Sequence, residues 1–351
     1  MQGGRAAVFR IRRRGGGGRK ETPLTKITLK DVASVAGVSV ATVSYVLNGT
    51  GSVSVEVAER VRAVVDRLGY RPNSVAQAMR TGRTATLGLI LPDLLNPFFP
   101  GLARSVDAVA RELGYCTFLA DTRISPEVEA DVMRNFVQRG VDGVIWFPAT
   151  QRDTFAPFRG RLPIVVVDRD LAGYDLVLPD HWRGGELQAE HLLAHGRTRI
   201  GLLNGPQSVD NMRLRRDGSV AAIAGRGTVV WEFEANFDAR LNADILAALA
   251  RREVDAIIAG NDLIALSAMQ ALNGMGQRVP ADVSVVGFDD IGIARFVAPA
   301  LSSVRIELDE LGELAVHRLV QLITAPAEPP VRRVVDVRLM GRDSVAAPED
   351  R

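Results

Sequence analysis

Apolar residues in the first part of the chain recur at helical spacing. Val32, Val35 and Ala36 give one short segment an apolar face, and Val43, Val46 and Leu47 give the next segment its own. Thr28 stands where an N-cap belongs, with Asp31 three residues on as its capping-box partner. Ser39 caps the second segment, and Gly49 ends it. Gly37 suits the turn between them, since glycine enters positive φ without strain, and Ala33 is small enough for a close helix crossing. The spacing predicts a helix-turn-helix. Ser54 to Leu68 reads as a third amphipathic helix, with Val57, Val61, Val64, Val65 and Leu68 on one side and Gly69 as its stop. Pro72 to Gly82 is helix-capable but too short to be stable alone in water.

From Thr86 onward the pattern changes. Leu87 to Leu91, Cys116 to Ala120, Val141 to Phe147 and Ile164 to Val167 read as strands, with helices near 98–113 and 127–139. A second series follows: Ile200 to Leu203, Val229 to Phe233, Ala256 to Ala259 and Val283 to Val286. Its helices lie near 183–195, 210–224, 239–252 and 262–275. Two parallel-sheet α/β lobes are implied, then a helix over 307–323 and a last strand from Val334 to Leu339. The expected fold class is α plus α/β. Its expected parts are a disordered basic tail over 1–26, a three-helix helix-turn-helix domain over 27–71, a hinge over 72–82, a two-lobed domain over 83–345 and a tail over 346–351.

Charge sharpens this division. Residues 1–80 carry a balance of +9 and the remainder −7, although the net charge is only +2. A basic head on an acidic body fits a polyanion-binding module joined to a different kind of domain. Much of that charge belongs to the tail, since residues 27–80 hold 6 basic against 4 acidic side chains, so the helix pattern carries more weight. No apolar run approaches the roughly 18 residues of a membrane helix, and no apolar core follows Arg10 to Arg14 as a secretory signal requires. Cys116 is the only cysteine, which excludes an internal disulfide, fits a reducing cytoplasm and predicts a buried, inert thiol. The Gly15-to-Lys20 cluster has no preceding strand and continues with Glu21, unlike a phosphate loop.

The N-terminal motifs identify a family. Val35-Ala36-Gly37-Val38-Ser39, Thr42-Val43-Ser44, Leu47-Asn48-Gly49, Leu68-Gly69-Tyr70-Arg71-Pro72-Asn73 and Asn96-Pro97-Phe98-Phe99 together resemble the LacI/GalR family of bacterial transcription regulators, and the resemblance continues to about Ser344. It implies periplasmic-binding-protein-like lobes whose chain crosses between them near 180, 305 and 340. It also implies a homodimer on a pseudo-palindromic double-stranded operator and a small-molecule effector, a sugar or sugar derivative, with no cofactor or membrane partner. On the second helix, Val40, Ala41 and Tyr45 face outward, where Val and Ala reach thymine methyls and Tyr45 can also hydrogen-bond. Thr28, Ser39, Thr42, Ser44 and Asn48 carry hydroxyl or amide groups for phosphates or bases. Met79 falls where the family places a leucine that wedges into the minor groove, and Gln77 where arginine is common.

Polar residues also follow the strand-like runs, where open α/β sheets bind ligands: Asp168, Asn261-Asp262 and Asp289-Asp290. The resemblance implies that Asp168, Arg215, Asn261 and Asp289 contact the effector and that Phe98, Phe99 and Phe237 offer it apolar or stacking surface. Two alternatives stand beside this: the polar residues cap the following helices, and Phe98 and Phe99 belong to the core. The chain departs from the family at Asp217-Gly218-Ser219, which lacks an aromatic after the glycine, and at Ile306, often polar in relatives. Enzyme signatures are missing. There is no Gly-x-Ser-x-Gly elbow, and His191 and His195 lack the zinc-protease pattern and fit the exposed end of a helix before Gly196. The rival classes are a purine- or nucleoside-responsive regulator and a small-molecule-binding protein without DNA activity.

Overall fold

A computed structural model describes residues 27–48, 51–71, 78, 82–325 and 329–346, and the chain divides into two units, Met1–Gln77 and Ala78–Arg351. The first unit holds α1 (Leu29–Ala36), α2 (Val40–Asn48) and α3 (Val55–Leu68). Thr28 and Asp31 form the reciprocal capping box, with the Thr28 N–H donating to Asp31 at 2.8 Å. Gly37 turns the chain at φ 67°, and Ser39 Oγ accepts from the Thr42 N–H at 3.0 Å to start α2. The core comprises Val32, Ala33 and Ala36 of α1, Val43 and Val46 of α2, Val61 and Val64 of α3, and Tyr70. Val35 does not join it and is 48% exposed. At about 100° per residue, Val32, Ala33 and Ala36 share one side of the helix and Val35 falls outside it. Gly49 lies outside the described residues, as do the 1–26 tail and most of the 72–82 segment.

The second unit contains two six-stranded sheets. Sheet one is built from β1 (Thr86–Leu91), β2 (Cys116–Asp121), β3 (Gly143–Trp146), β4 (Ile164–Val167), β5 (Asp175–Pro179) and β11 (Arg332–Val335), in the order β11-β5-β4-β3-β1-β2. Sheet two is built from β6 (Arg199–Asn204), β7 (Thr228–Glu234), β8 (Ala256–Ala259), β9 (Ser284–Asp289), β10 (Ser302–Ile306) and β12 (Val337–Met340), in the order β12-β10-β9-β8-β6-β7. All pairings are parallel except β10 with β12. The helices are α4 (Phe98–Glu112), α5 (Pro126–Gln138), α6 (His181–Ala194), α7 (Asp210–Ile223), α8 (Ala243–Ala250), α9 (Asp262–Gly274) and α10 (Leu308–Thr324). No single described helix is long and apolar enough to cross a membrane.

Several expectations need correction. The run from Val334 to Leu339 is not one strand. Asp336 separates β11, which joins sheet one, from β12, which joins sheet two, so the third crossing, expected near 340, falls at this residue. β5 and β10 went unrecognised, because Leu176-Val177-Leu178 is a short run beside Asp175, and Ser302-Ser303 opens β10 with polar residues that are nonetheless fully buried. The helix placed over 239–252 begins only at Ala243, where Asn242 caps it. Cys116 is exposed, because β2 is an edge strand whose Phe118 and Leu119 also face outward. His191 is half-buried rather than at an exposed helix end, and its ring lies edge-on to His195 at 4.7 Å. Burial, aided by His195, pulls the His191 pKa down to about 4.

Candidate functional site

In each sheet the strand order reverses beside the first strand of its lobe, between β1 and β3 and between β6 and β8. Ligand crevices form outside the carboxyl ends at such points. One pocket there is lined by Phe98 and Phe99 at the start of α4, Asp168 after β4, Arg215 on α7, Phe237 after β7, Asn261 after β8 and Asp289 at the end of β9. All seven expected effector residues therefore share one cavity, with about 510 Å³ of atom-free space that includes its open mouth. Both alternatives hold in part as well. Asn261 Oδ1 accepts from the Ile264 N–H at 2.9 Å and so also caps α9, and Phe98 is buried against the core while Phe99 stacks edge-on between Phe98 and Phe147.

The backbone at the two carboxylates is strained. Asp168 has φ 68° and Asp289 φ 103°, in the region that favours glycine. The aspartates that follow Asn261 and Asp289 are used differently. Asp262 turns away from the pocket to accept from Ser303 Oγ at 2.6 Å and the Ile291 N–H at 2.8 Å. Asp290 pairs with Arg305 and Arg342.

A close helix crossing places Arg215. A Cβ on Gly185 of α6 would stand 2.0 Å from the Arg215 carbonyl oxygen, and one on Gly218 of α7 2.2 Å from that of Trp182. Ser219, fully buried, donates to the Gly185 carbonyl at 3.0 Å. Ser219, where the family pattern has an aromatic, is thus buried within this crossing. Arg215 then lies over the Phe288 ring at 3.6 Å and donates through Nη1 to the Gly260 carbonyl at 2.7 Å and to Asp289 at 3.2 Å. Burial pushes the Asp289 carboxyl up to about 7 despite Arg215, with Asp168 adding to the rise. Burial pushes Asp168 the same way, but Arg169, His181 and Arg215 outweigh it and hold Asp168 well below the usual carboxylate range.

Arg169, His181 and Asn211 were missed from sequence. Asn211 donates to Asp168 at 2.7 Å, and His181 bonds it at 2.8 Å. The Asp180-His181 pair follows β5, so recognising that strand would have flagged His181 by the same carboxyl-end rule.

In the first unit, α2 turns Val40, Ala41 and Tyr45 to solvent, with Val40 42% and Tyr45 49% exposed. Thr28 and Ser39 are at the amino ends of α1 and α2, where both hydroxyls also serve as caps, while Thr42 and Ser44 are half-buried. The Asn48 side chain and Met79 lie outside the described residues.

Family comparisons agree with both units. Residues 28–73 match the model of bacterial regulatory proteins of the lacI family, and residues 189–345 that of a periplasmic binding protein-like domain. The ribose operon repressor of Escherichia coli is 33% identical over 331 residues, covering 90% of this chain and 99% of the relative. The chain belongs to the lacI family of bacterial regulatory proteins. The HTH-type transcriptional repressor PurR of Haemophilus influenzae is 32% identical over 307 residues, covering 85% of this chain and 91% of PurR. The lac repressor dimer bound to operator and the anti-inducer ONPF superposes on this LacI-family chain with a TM-score of 0.78 at 28% identity, covering 92% of this chain and 100% of that one. A LacI family regulator from Enterococcus faecium with bound ribose gives a TM-score of 0.66 at 27% identity, covering 75% and 100%. This LacI-family regulator thus combines a DNA-binding helix-turn-helix with a two-sheet body of the effector-binding type.

Proposed function

We propose that the chain is a sugar-responsive repressor, a homodimer that reads a pseudo-palindromic operator through α2 and is switched by a pentose such as D-ribose in the cleft. The observation that carries this is the convergence of Asp168, Arg215, Asn261 and Asp289 with Phe98, Phe99 and Phe237 on one pocket. Carboxylates accept from vicinal hydroxyls, a guanidinium donates to them, and aromatic rings cover the apolar face of a sugar. The likeness to ribose operon repressors over nine tenths of the chain supports the choice of pentose. On this reading the pocket binds its ligand without converting it, and the protein works in the cytoplasm beside its operator. Ser39, Thr42, Ser44, Asn48 and Thr28 hold the DNA backbone or bases, Val40, Ala41 and Tyr45 read base edges, and Met79 wedges the minor groove.

A thermal-shift screen of pentoses, hexoses, nucleosides and purine bases, followed by calorimetry on the hits, tests the effector class. D-ribose should give the largest shift. A nucleoside or purine base binding more tightly would move the chain to the purine-responsive class, and no response from any sugar would overturn the proposal.

A further inference from the structure

His181 opens α6 in the second lobe and is 3% exposed. Its Nε2 lies 2.8 Å from Asp168 Oδ1, at the end of β4 in the first lobe. Its Nδ1 lies 3.2 Å from Arg215 Nε, which carries a hydrogen and can only donate. Nδ1 is therefore an acceptor, which leaves the ring neutral with its proton on Nε2, aimed at the carboxylate. The Phe288 ring lies tilted beside it at 6.0 Å. The charged groups facing the imidazole are Asp168 and Arg169 from the first lobe and Arg215 from α7, with Asp289 behind Arg215. Burial holds the imidazole below its ordinary pKa, so the neutral form persists through physiological pH.

The bridge determines what remains for a ligand. An ionised carboxylate offers about four acceptor sites. On Asp168, His181, Asn211 and Arg169 already occupy three of them. On Arg215, Nε goes to His181 and Nη1 to Gly260 and Asp289, which leaves Nη2 for the pocket.

We propose that His181 is the positioning residue of this pocket: its neutral imidazole ties Asp168 of one lobe to Arg215 of the other and fixes which of their polar atoms face a polyhydroxylated ligand. The inference rests on the pocket being the effector site. In its place, Asp168 presents a single acceptor to one hydroxyl and Arg215 presents Nη2 to neighbouring oxygens. A ligand meeting the pair must therefore supply a hydroxyl donor beside an oxygen acceptor, as vicinal hydroxyls do.

Two measurements on the full-length protein test this. The first is imidazole nitrogen NMR without ligand between about pH 7 and 8. The chain has 4 histidines, so the His181 signals are identified by their loss in His181→Gln. The ring should be neutral with Nε2 protonated, and the Nε2–H signal should shift in Asp168→Asn. A charged ring, a proton on Nδ1 or no shift would overturn the bridge whatever the ligand. The second is calorimetry with D-ribose. His181→Phe fills the space without hydrogen bonds and should weaken binding roughly 10- to 100-fold, the effect of unmaking hydrogen bonds to charged groups. His181→Gln keeps a donor for Asp168 and should lose less. If both variants are folded and bind as the wild type does, His181 does not position the pocket. If the wild type itself fails to bind D-ribose, the pentose reading falls, and the NMR measurement alone decides the role of His181.

Discussion

Asp168 and Asp289 carry the same functional group on the same kind of strained backbone, yet their surroundings drive them apart. Asp168 faces Arg169, His181 and Arg215 and stays ionised, while Asp289 shares Arg215 and is more affected by burial and by Asp168. The folded protein keeps a proton on Asp289 up to a pH of about 7, whereas the unfolded chain releases it near the ordinary value of 3.8. Between those values the folded state binds more protons, so Asp289 makes stability fall as pH rises. Asp168 works the other way, adding stability that is lost as pH drops below the ordinary carboxylate range. Urea denaturation at stepped pH should show a flatter decline between about pH 4 and 7 in Asp289→Asn than in the wild type. A second expectation concerns Arg215. Its replacement by alanine removes a charge-assisted contact and leaves Asp289 and the Gly260 carbonyl without their donor. Calorimetry should register a loss of at least about 2 kcal/mol in D-ribose affinity.

The packing of α6 on α7 transmits these residue effects to the pocket. Gly185→Ala sets a methyl against the Arg215 carbonyl, so the helices must separate. Thermal denaturation should show a loss of about 1–3 kcal/mol, accompanied by weaker ribose binding because His181 and Arg215 move apart. On α2, exchanging Val40, Ala41 and Tyr45 for the corresponding trio of another family member should redirect half-site preference by roughly 1–3 kcal/mol per base contact. A randomised-operator selection checks this, and recovery of the same half-site by both proteins would place sequence reading elsewhere. The helices with their caps, and the strands with long apolar runs, were legible in the sequence because periodicity and capping are local signals. What escaped was set by tertiary context. Val35 looked apolar but fell outside the buried arc, Ser302 and Ser303 looked polar but are buried, and β11 and β12 part company at one aspartate. The pocket residues were legible through the family pattern and the carboxyl-end rule, whereas His181 and Asn211 act through Asp168 and have no motif of their own.

At the scale of the whole molecule, a basic head over residues 1–80, most of whose excess charge lies in the 1–26 tail, is joined to an acidic body, and the proposed function pairs operator binding by the first with sugar binding in the cleft of the second. Their coupling is a difference in operator affinity between the free and sugar-bound protein, and coupling of this kind is typically about 5- to 150-fold. The same factor must appear in reverse, as a change in D-ribose affinity when operator is bound. The most direct measurement is an operator-binding titration at fixed salt, run with and without saturating D-ribose, on the wild type and on Arg215→Ala, using an operator recovered by selection. The wild-type curve should shift within that range and the Arg215→Ala curve should not move at the same sugar concentration. Identical wild-type curves with and without ribose, or an equal shift in both proteins, would contradict a sugar switch acting through this pocket.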